Sequence, residues 1–216
     1  MKEFFDQLYS KHHTTKNRYN YLFCQGDRIP WLQKWIGQGK RVLDLGCRDG
    51  TLTQSFAYGN EVVGVDVDRK ALSLIEKRLG IETHWLDLNQ DFPFEDHSFD
   101  VVVSCEILEH LMFPQEILKK IRRVLKKDGL SIGSVPNAFR MRNRWRFLFG
   151  KEFDKDPTHL RHFSYRSLET LLLEQFSAAE IICLKGKILP FLEVSEKTPE
   201  ALNRLFAKDL LWCAKL

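Results

Sequence analysis

Two patterns of apolar residues follow one another along the chain. Over residues 1–36 they recur at helical spacing, at Phe4, Phe5 and Leu8, then at Tyr21, Leu22, Ile29, Trp31, Leu32, Trp35 and Ile36. That spacing predicts one or two amphipathic helices. Pro30 reads as the opening of the second, because its fixed φ and missing N–H suit a first turn. Gly37 and Gly39 then break the helix. From residue 41 the pattern shortens to apolar runs at 41–45, 61–65, 82–86, 99–104 and 129–135. Helical stretches near 50–58, 68–79, 106–112 and 115–127 separate them. Strands alternating with helices predict an α/β domain with a mostly parallel sheet and helices on both faces. Right-handed crossovers bring the carboxyl ends of the strands to one edge, where open sheets bind ligands. Residues 136–163 interrupt the rhythm, a helix follows at 165–176 with Ser164 as N-cap, and two strands close the chain at 179–184 and 209–214. Between those strands, Thr198 and Pro199 read as N-cap and first residue of a helix. The organisation expected is a helical cap over 1–39 and one domain over 40–216, with 136–163 as a lid inserted in it.

Composition narrows the class. The 216 residues are 44% hydrophobic and 29% charged, values of an ordinary soluble globular protein. The five cysteines, Cys24, Cys47, Cys105, Cys183 and Cys213, are odd in number, scattered and without a CxxC pair. Disulfide scaffolds and structural zinc sites are disfavoured, and a reducing, cytoplasmic setting is expected. The first residues lack the apolar core of a signal peptide, and no run is long and apolar enough for a bilayer. The net charge of +4 does not by itself call for nucleic acid, but residues 140–151 hold five basic groups and no acidic one.

Candidate chemistry sits at the predicted strand ends. The first strand runs into Asp44-Leu-Gly46-Cys-Arg-Asp-Gly50, a tight turn in which two glycines let the backbone approach a ligand. Asp66 ends the second strand, where a carboxylate accepts both hydroxyls of a ribose. The glycine spacing is GxxxG, whereas a pyrophosphate cradle needs GxGxxG. Asp44 and Asp49 add negative charge that repels a pyrophosphate and suits a sulfonium and an α-ammonium group, so a nicotinamide dinucleotide is disfavoured. Asp87, after the third strand, is either an acceptor for an adenine amino group or a turn residue.

Leu43-Asp-Leu-Gly-Cys-Arg-Asp-Gly, Val63-Gly-Val-Asp, Asp87-Leu and above all Phe92-Pro-Phe-Glu-Asp-His-Ser-Phe-Asp-Val-Val-Val-Ser-Cys-Glu-Ile-Leu-Glu-His-Leu resemble class I S-adenosylmethionine-dependent methyltransferases. The resemblance runs from about residue 40 to the end of the chain. It implies a Rossmann-like fold with seven strands, the last antiparallel, and S-adenosylmethionine as cofactor. By the same resemblance Asp44, Gly46 and Gly50 would surround the methionine portion and Asp66 would hold the ribose. Asp87 and the Leu88 amide would bracket the adenine, with Ser104 and Cys105 alongside. Arg48 departs from the pattern, standing where many members have a central glycine. It either crowds the cofactor or points outward.

For the acceptor, Ser134-Val-Pro-Asn137 with Arg142-Asn-Arg-Trp145 resembles the methionine-biosynthesis MetW group. Glu106-Ile-Leu-Glu-His110, Pro136-Asn and the later His159-Leu-Arg-His162-Phe163 also resemble ubiquinone-biosynthesis O-methyltransferases and related glycan-modifying enzymes. His110 is the first candidate for a base toward a hydroxyl acceptor, since an imidazole titrates near neutrality; the alternative is a capping or orienting role beside Glu106. His159 and His162 are further candidates, with a solvated loop as the alternative. No metal is assigned, although Glu106, Glu109 and His110 with His159 or His162 would suit a divalent ion, as in small-RNA 2′-O-methyltransferases. Residues 139–149 alternate basic and apolar side chains, reading either as a lid over an anionic or lipid-linked acceptor, as a transient membrane contact, or as a lid helix with core-facing aromatics. The function expected is O-methylation of a small molecule or a lipid-linked sugar. An RNA methyltransferase is disfavoured by the missing Asn-Pro-Pro-Tyr-type motif, and a non-catalytic partner rests on Arg48 alone.

Overall fold

The apolar runs fold as strands β1 (Arg41–Leu45), β2 (Glu61–Asp66), β3 (Glu82–Trp85), β4 (Phe99–Cys105), β5 (Leu125–Pro136), β6 (Ala178–Leu184), β7 (Lys187–Leu189), β8 (Leu192–Glu193) and β9 (Asp209–Lys215). The structure, a computed structural model, describes residues 2–15, 19–21, 25–154, 156–184, 186–189, 192–193 and 198–216. Leu22, Cys24 and the side chains of Phe4 and Phe5 lie outside the described residues. Seven strands form one sheet in the order β3-β2-β1-β4-β5-β9-β6, while β7 and β8 pair separately. Only β9 runs against its sheet neighbours, β5 and β6. This is the Rossmann-like α/β sheet that the strand–helix rhythm predicts. Because β2 and β3 lie on one side of β1 and β4 on the other, the strand order reverses beside β1, which opens a crevice at the carboxyl ends.

The helices are α1 (Lys2–Thr15), α2 (Gln25–Ile36), α3 (Gln54–Ala57), α4 (Arg69–Leu79), α5 (Pro114–Val124), α6 (Met141–Leu148), α7 (Tyr165–Leu173) and α8 (Glu200–Phe206). Successive strand residues point to opposite faces, so the sheet builds two cores. Leu43, Val63 and Val102 pack with Ile117, Leu118 and Ile121 of α5 and Leu168 and Leu172 of α7. Val42, Val62, Val101 and Val103 pack on the other side with Leu32 and Ile36 of α2 and Phe56 of α3. Each fully buried Leu or Ile contributes about 1.5–3 kcal/mol. Trp212 packs against Gly133, where a Cβ would fall 2.2 Å from the indole, so only glycine admits that ring.

Several expectations need correction. Pro30 lies inside α2, which begins five residues earlier, so the helix forfeits one i→i−4 bond. The stretch at 106–112 is a single 3₁₀ turn, Leu108–His110, because Glu106 takes a left-handed φ of 57° and donates its N–H to the Ser134 carbonyl instead of entering a helix. Strand β5 starts at Leu125, which pairs with Phe99 before a register shift. Pro199 is the N-cap of α8 rather than its first residue. Ser164 caps α7 as expected, in a capping box with Ser167.

Candidate functional site

The tips of β1 and β2 gather carboxylates. Asp44 is buried and its Oδ2 accepts a 2.7 Å bond from Thr53 Oγ1. Burial pushes this carboxyl up to about 7, the Thr53 bond opposing and Asp66 adding to the rise. At the tip of β2, Asp66 accepts from the backbone N–H groups of Arg48 and Asp68, both at 2.9 Å, and burial raises its carboxyl too. Gly46 and Gly50 turn with φ of 74° and 77°. A Cβ on Gly46 would fall 2.1 Å from Ile107 Cδ1, and one on Gly50 would fall 2.5 Å from Ile75 Cγ1, so the turn is closed to side chains.

Arg48 turns outward. Its backbone carries the bond to Asp66, which glycine would make equally well, while its guanidinium reaches Asp49 at 3.3 Å and the Tyr21 carbonyl at 2.5 Å. Asp49 corrects the expectation of a second acid facing the ligand. It accepts from the Asn20 N–H and Thr51 Oγ1, both at 2.7 Å, and pairs with Arg48 and Arg78. Its charge is spent on holding residues 19–21.

Two residues past β3, Asp87 is buried and forms a turn in which Oδ1 accepts from Asn89 N and Nδ2. Leu88 follows, half-buried against the larger core, its carbonyl taking Lys120 Nζ at 3.2 Å. At the end of β4, Ser104 is fully buried with no partner for its Oγ among the described residues, and burial lifts the Cys105 thiol to about 12. Helix α1 roofs this row. His13 Nδ1 and Tyr19 Oη meet Asp68 at 2.8 and 2.7 Å, and Asp6 accepts from the Arg69 N–H at 2.9 Å. The Tyr9 phenol is raised to about 12 by burial and then by Asp66, Asp156, Asp87 and Glu109. One phenol therefore senses acids from the tips of β2 and β3 to the far end of β4.

That far end holds the histidines. Glu109 is buried, neither carboxylate oxygen has a hydrogen-bond partner among the described residues, and burial, then Glu106, push its carboxyl well up. Its backbone carbonyl receives the N–H groups of Leu160 and Arg161, which draws the 159–162 segment onto the 3₁₀ turn. His110 and His159 stand with ring centroids 4.8 Å apart. Burial and His159 lower His110 to about 4, so it is neutral, with Nδ1 3.1 Å from the Thr158 carbonyl and Nε2 left as acceptor. Asp154 orients His159 through Nδ1 at 2.7 Å and lies 3.3 Å from His162 Nε2. Glu109, His110 and His159 each offer a ligand atom, all within 4.8 Å of one another; His162 and Glu106 stand outside this group. Glu106 instead accepts from Arg28 at 3.1 Å and Ser134 Oγ at 2.8 Å, and Arg28 also pairs with the fully buried Asp209.

Arg28, Asp209, Asp154 and Tyr9 escape the sequence reading. An aspartate opening an apolar strand and an arginine on a core-facing helix were the available signals.

A sequence profile described as a methyltransferase domain matches residues 43–133. The ubiquinone biosynthesis O-methyltransferase of Bordetella avium is 30% identical over 130 residues, 56% of this chain and 52% of that protein. The chain thus spans about half the length of the curated relatives it matches. Among solved structures, an S-adenosylmethionine-dependent methyltransferase of Thermotoga maritima superposes with a TM-score of 0.71 at 19% identity, covering 95% of this chain and 97% of that one. One from Archaeoglobus fulgidus gives 0.66 at 21%, covering 87% and 92%. At such identities the likeness is one of fold.

Proposed function

We propose that this chain, a member of the class I S-adenosylmethionine-dependent methyltransferases, transfers the methyl group of S-adenosylmethionine to a hydroxyl of a small molecule or lipid-linked sugar. The row of Asp44, Asp66 and Asp87 at the ends of three neighbouring strands carries the reading. In it Asp66 accepts the ribose hydroxyls, Asp87 and the Leu88 amide bracket the adenine, and Asp44, Gly46 and Gly50 surround the methionine portion, with Ser104 and Cys105 alongside. The donor set fits the group. Carboxyls that burial holds up, Asp44 with a further push from Asp66, regain their charge beside a cation, and the Ser104 Oγ, without a partner among the described residues, gains a neighbour. The bound cofactor supplies an activated methyl, and the chain's part is to orient the reactants and exclude water. Oxygen as the acceptor atom is supported by the O-methyltransferase relatives and by the imidazoles beyond β4. Trp145, Phe147, Leu148 and Phe149, all exposed on or beside the basic α6, support an amphiphilic acceptor or a transient membrane contact over 139–149. The test is release of S-adenosylhomocysteine on incubation with a panel of phenols, catechols, sugar phosphates and amines; turnover with the amines alone would overturn oxygen as acceptor.

Asp44 gives the binding a pH dependence. Its free carboxyl titrates at about 7, and an ammonium partner lowers that value, so binding releases a proton near neutrality. Affinity is therefore full above about pH 7 and weakens by up to about tenfold per pH unit below it. Calorimetry in buffers of different ionisation heat reads the proton directly. An affinity independent of pH would remove the ammonium from Asp44.

A second reading concerns how the acceptor is activated, and Glu109 favours it. A buried carboxyl with no hydrogen-bond partner among the described residues, beside two imidazole nitrogens, is the donor set of a divalent-ion site, with Thr158 and Asp154 orienting the rings. An ion bound there would lower the pKa of the acceptor hydroxyl. Loss of turnover on chelation, restored by magnesium, manganese or zinc, supports the ion; turnover indifferent to chelation leaves His110 as the base.

A further inference from the structure

A cavity of about 460 Å³ opens between α6, the first turn of α7 and α8, apart from the strand-tip acids and the imidazoles. It lies just past the end of β5, on the edge where the strand tips gather, and its wall includes Phe139, Tyr165, Arg144, Arg166, Arg204 and Glu200. The frame is fixed. Asn137 donates through Nδ2 to the carbonyls of Arg204 and Ala207 at 2.9 and 3.1 Å and through its N–H to that of Lys208 at 3.1 Å, fastening α8 to β5.

Three arginines and one glutamate line the cavity. Arg204 lies over the Tyr165 ring, its Cζ 3.8 Å from the centroid, and its Nη2 meets Glu200 at 2.5 Å. Glu200 is 71% exposed, so that pair adds little and yields readily to a better anion. Arg144 donates only through Nε, to the Phe139 carbonyl at 2.7 Å, and its Nη groups make no bond among the described residues. The Arg166 side chain makes no hydrogen bond or ion pair among the described residues. Paired N–H groups of arginine match phosphate oxygens in a way that lysine does not. Aromatic walls at Phe139 and Tyr165 favour an organic phosphate over a bare ion. The volume falls in the range of about 300–1,000 Å³ usual for small-molecule sites.

We propose that this cavity binds a phosphate ester through Arg144, Arg166 and Arg204 and seats the anionic end of the acceptor. Its role as acceptor subsite rests on the methyl-transfer reading; its affinity for phosphate does not. Two sources share the chemistry, a soluble phosphorylated molecule and a lipid headgroup presented beside the exposed aromatics of α6.

The test titrates phenyl phosphate into the full chain and into Arg166→Ala and Arg144→Ala, with S-adenosylmethionine titrated in parallel. Saturable binding is expected, weakened about tenfold or more in each variant and further by salt, with cofactor affinity unchanged. No binding to the parent chain, or equal binding to Arg166→Ala, overturns the site. Vesicles of phosphatidylcholine with and without phosphatidylglycerol separate the sources. Charge-dependent vesicle binding displaced by phenyl phosphate supports the cavity with a headgroup as ligand; phenyl phosphate binding alone supports it with a soluble ester. Phosphate binding in a chain that fails to bind S-adenosylmethionine keeps the cavity and sinks the methyl-transfer reading.

Discussion

Asp66→Asn is expected to weaken S-adenosylmethionine binding on the order of 100-fold while the protein still unfolds cooperatively. An ionised carboxylate accepting both ribose hydroxyls makes two charge-assisted bonds, each worth about 1.5–3 kcal/mol, and asparagine keeps one neutral acceptor. The same side chain also serves the fold. It accepts the N–H groups of Arg48 and Asp68, closing the glycine turn on one side and the start of α4 on the other. Asparagine leaves one of those donors without an acceptor, at about 1–3 kcal/mol, and alanine leaves both. Asp66→Ala would therefore mix lost affinity with a loosened turn. Calorimetry for affinity and urea unfolding for stability separate the two effects. Unchanged affinity in a folded Asp66→Asn protein would move the ribose elsewhere.

Arg28→Met is expected to destabilise the fold by about 3–5 kcal/mol near neutral pH. The guanidinium is 3% exposed and joins Asp209, fully buried at the start of β9, to Glu106 at the exit of β4. Removing it strands a buried carboxylate. Burial and then Glu106 already raise the Asp209 carboxyl, and Arg28 is what holds it down. Without Arg28 that value rises further, so the penalty is largest where the group must be ionised. As pH falls through the raised value, Asp209 takes a proton and the penalty shrinks. Urea midpoints at neutral and mildly acidic pH measure this. Adding Asp209→Asn to Arg28→Met should recover most of the loss, whereas a single variant within about 0.5 kcal/mol of the parent would contradict the ion-pair account.

These two side chains mark where the sequence was and was not readable. The place of Asp66 at the tip of β2 was legible because the acid closes the apolar run itself, so the spacing carries the geometry. The same holds for Asp44, the two glycines and the cap at Ser164. Arg28 and Asp209 are 181 positions apart, and no local period joins them; only the closing of the sheet does. Asp49 misled because it sits in the turn that follows the tip of β1, while a left-handed Arg48 turns its side chain toward residues 19–21. The 3₁₀ turn at 108–110 misled in a related way. Its apolar spacing is helical, yet the left-handed Glu106 cuts it off and leaves Glu109 and His110 aimed at His159.

The most direct measurement is a calorimetric titration of S-adenosylmethionine into the intact chain. One saturable site, abolished or severely weakened in Asp66→Asn and retained in Arg166→Ala, is what converging strand-tip acids require. A flat titration of the folded protein, or binding that ignores Asp66, would contradict the assignment of these tips to an adenosyl cation.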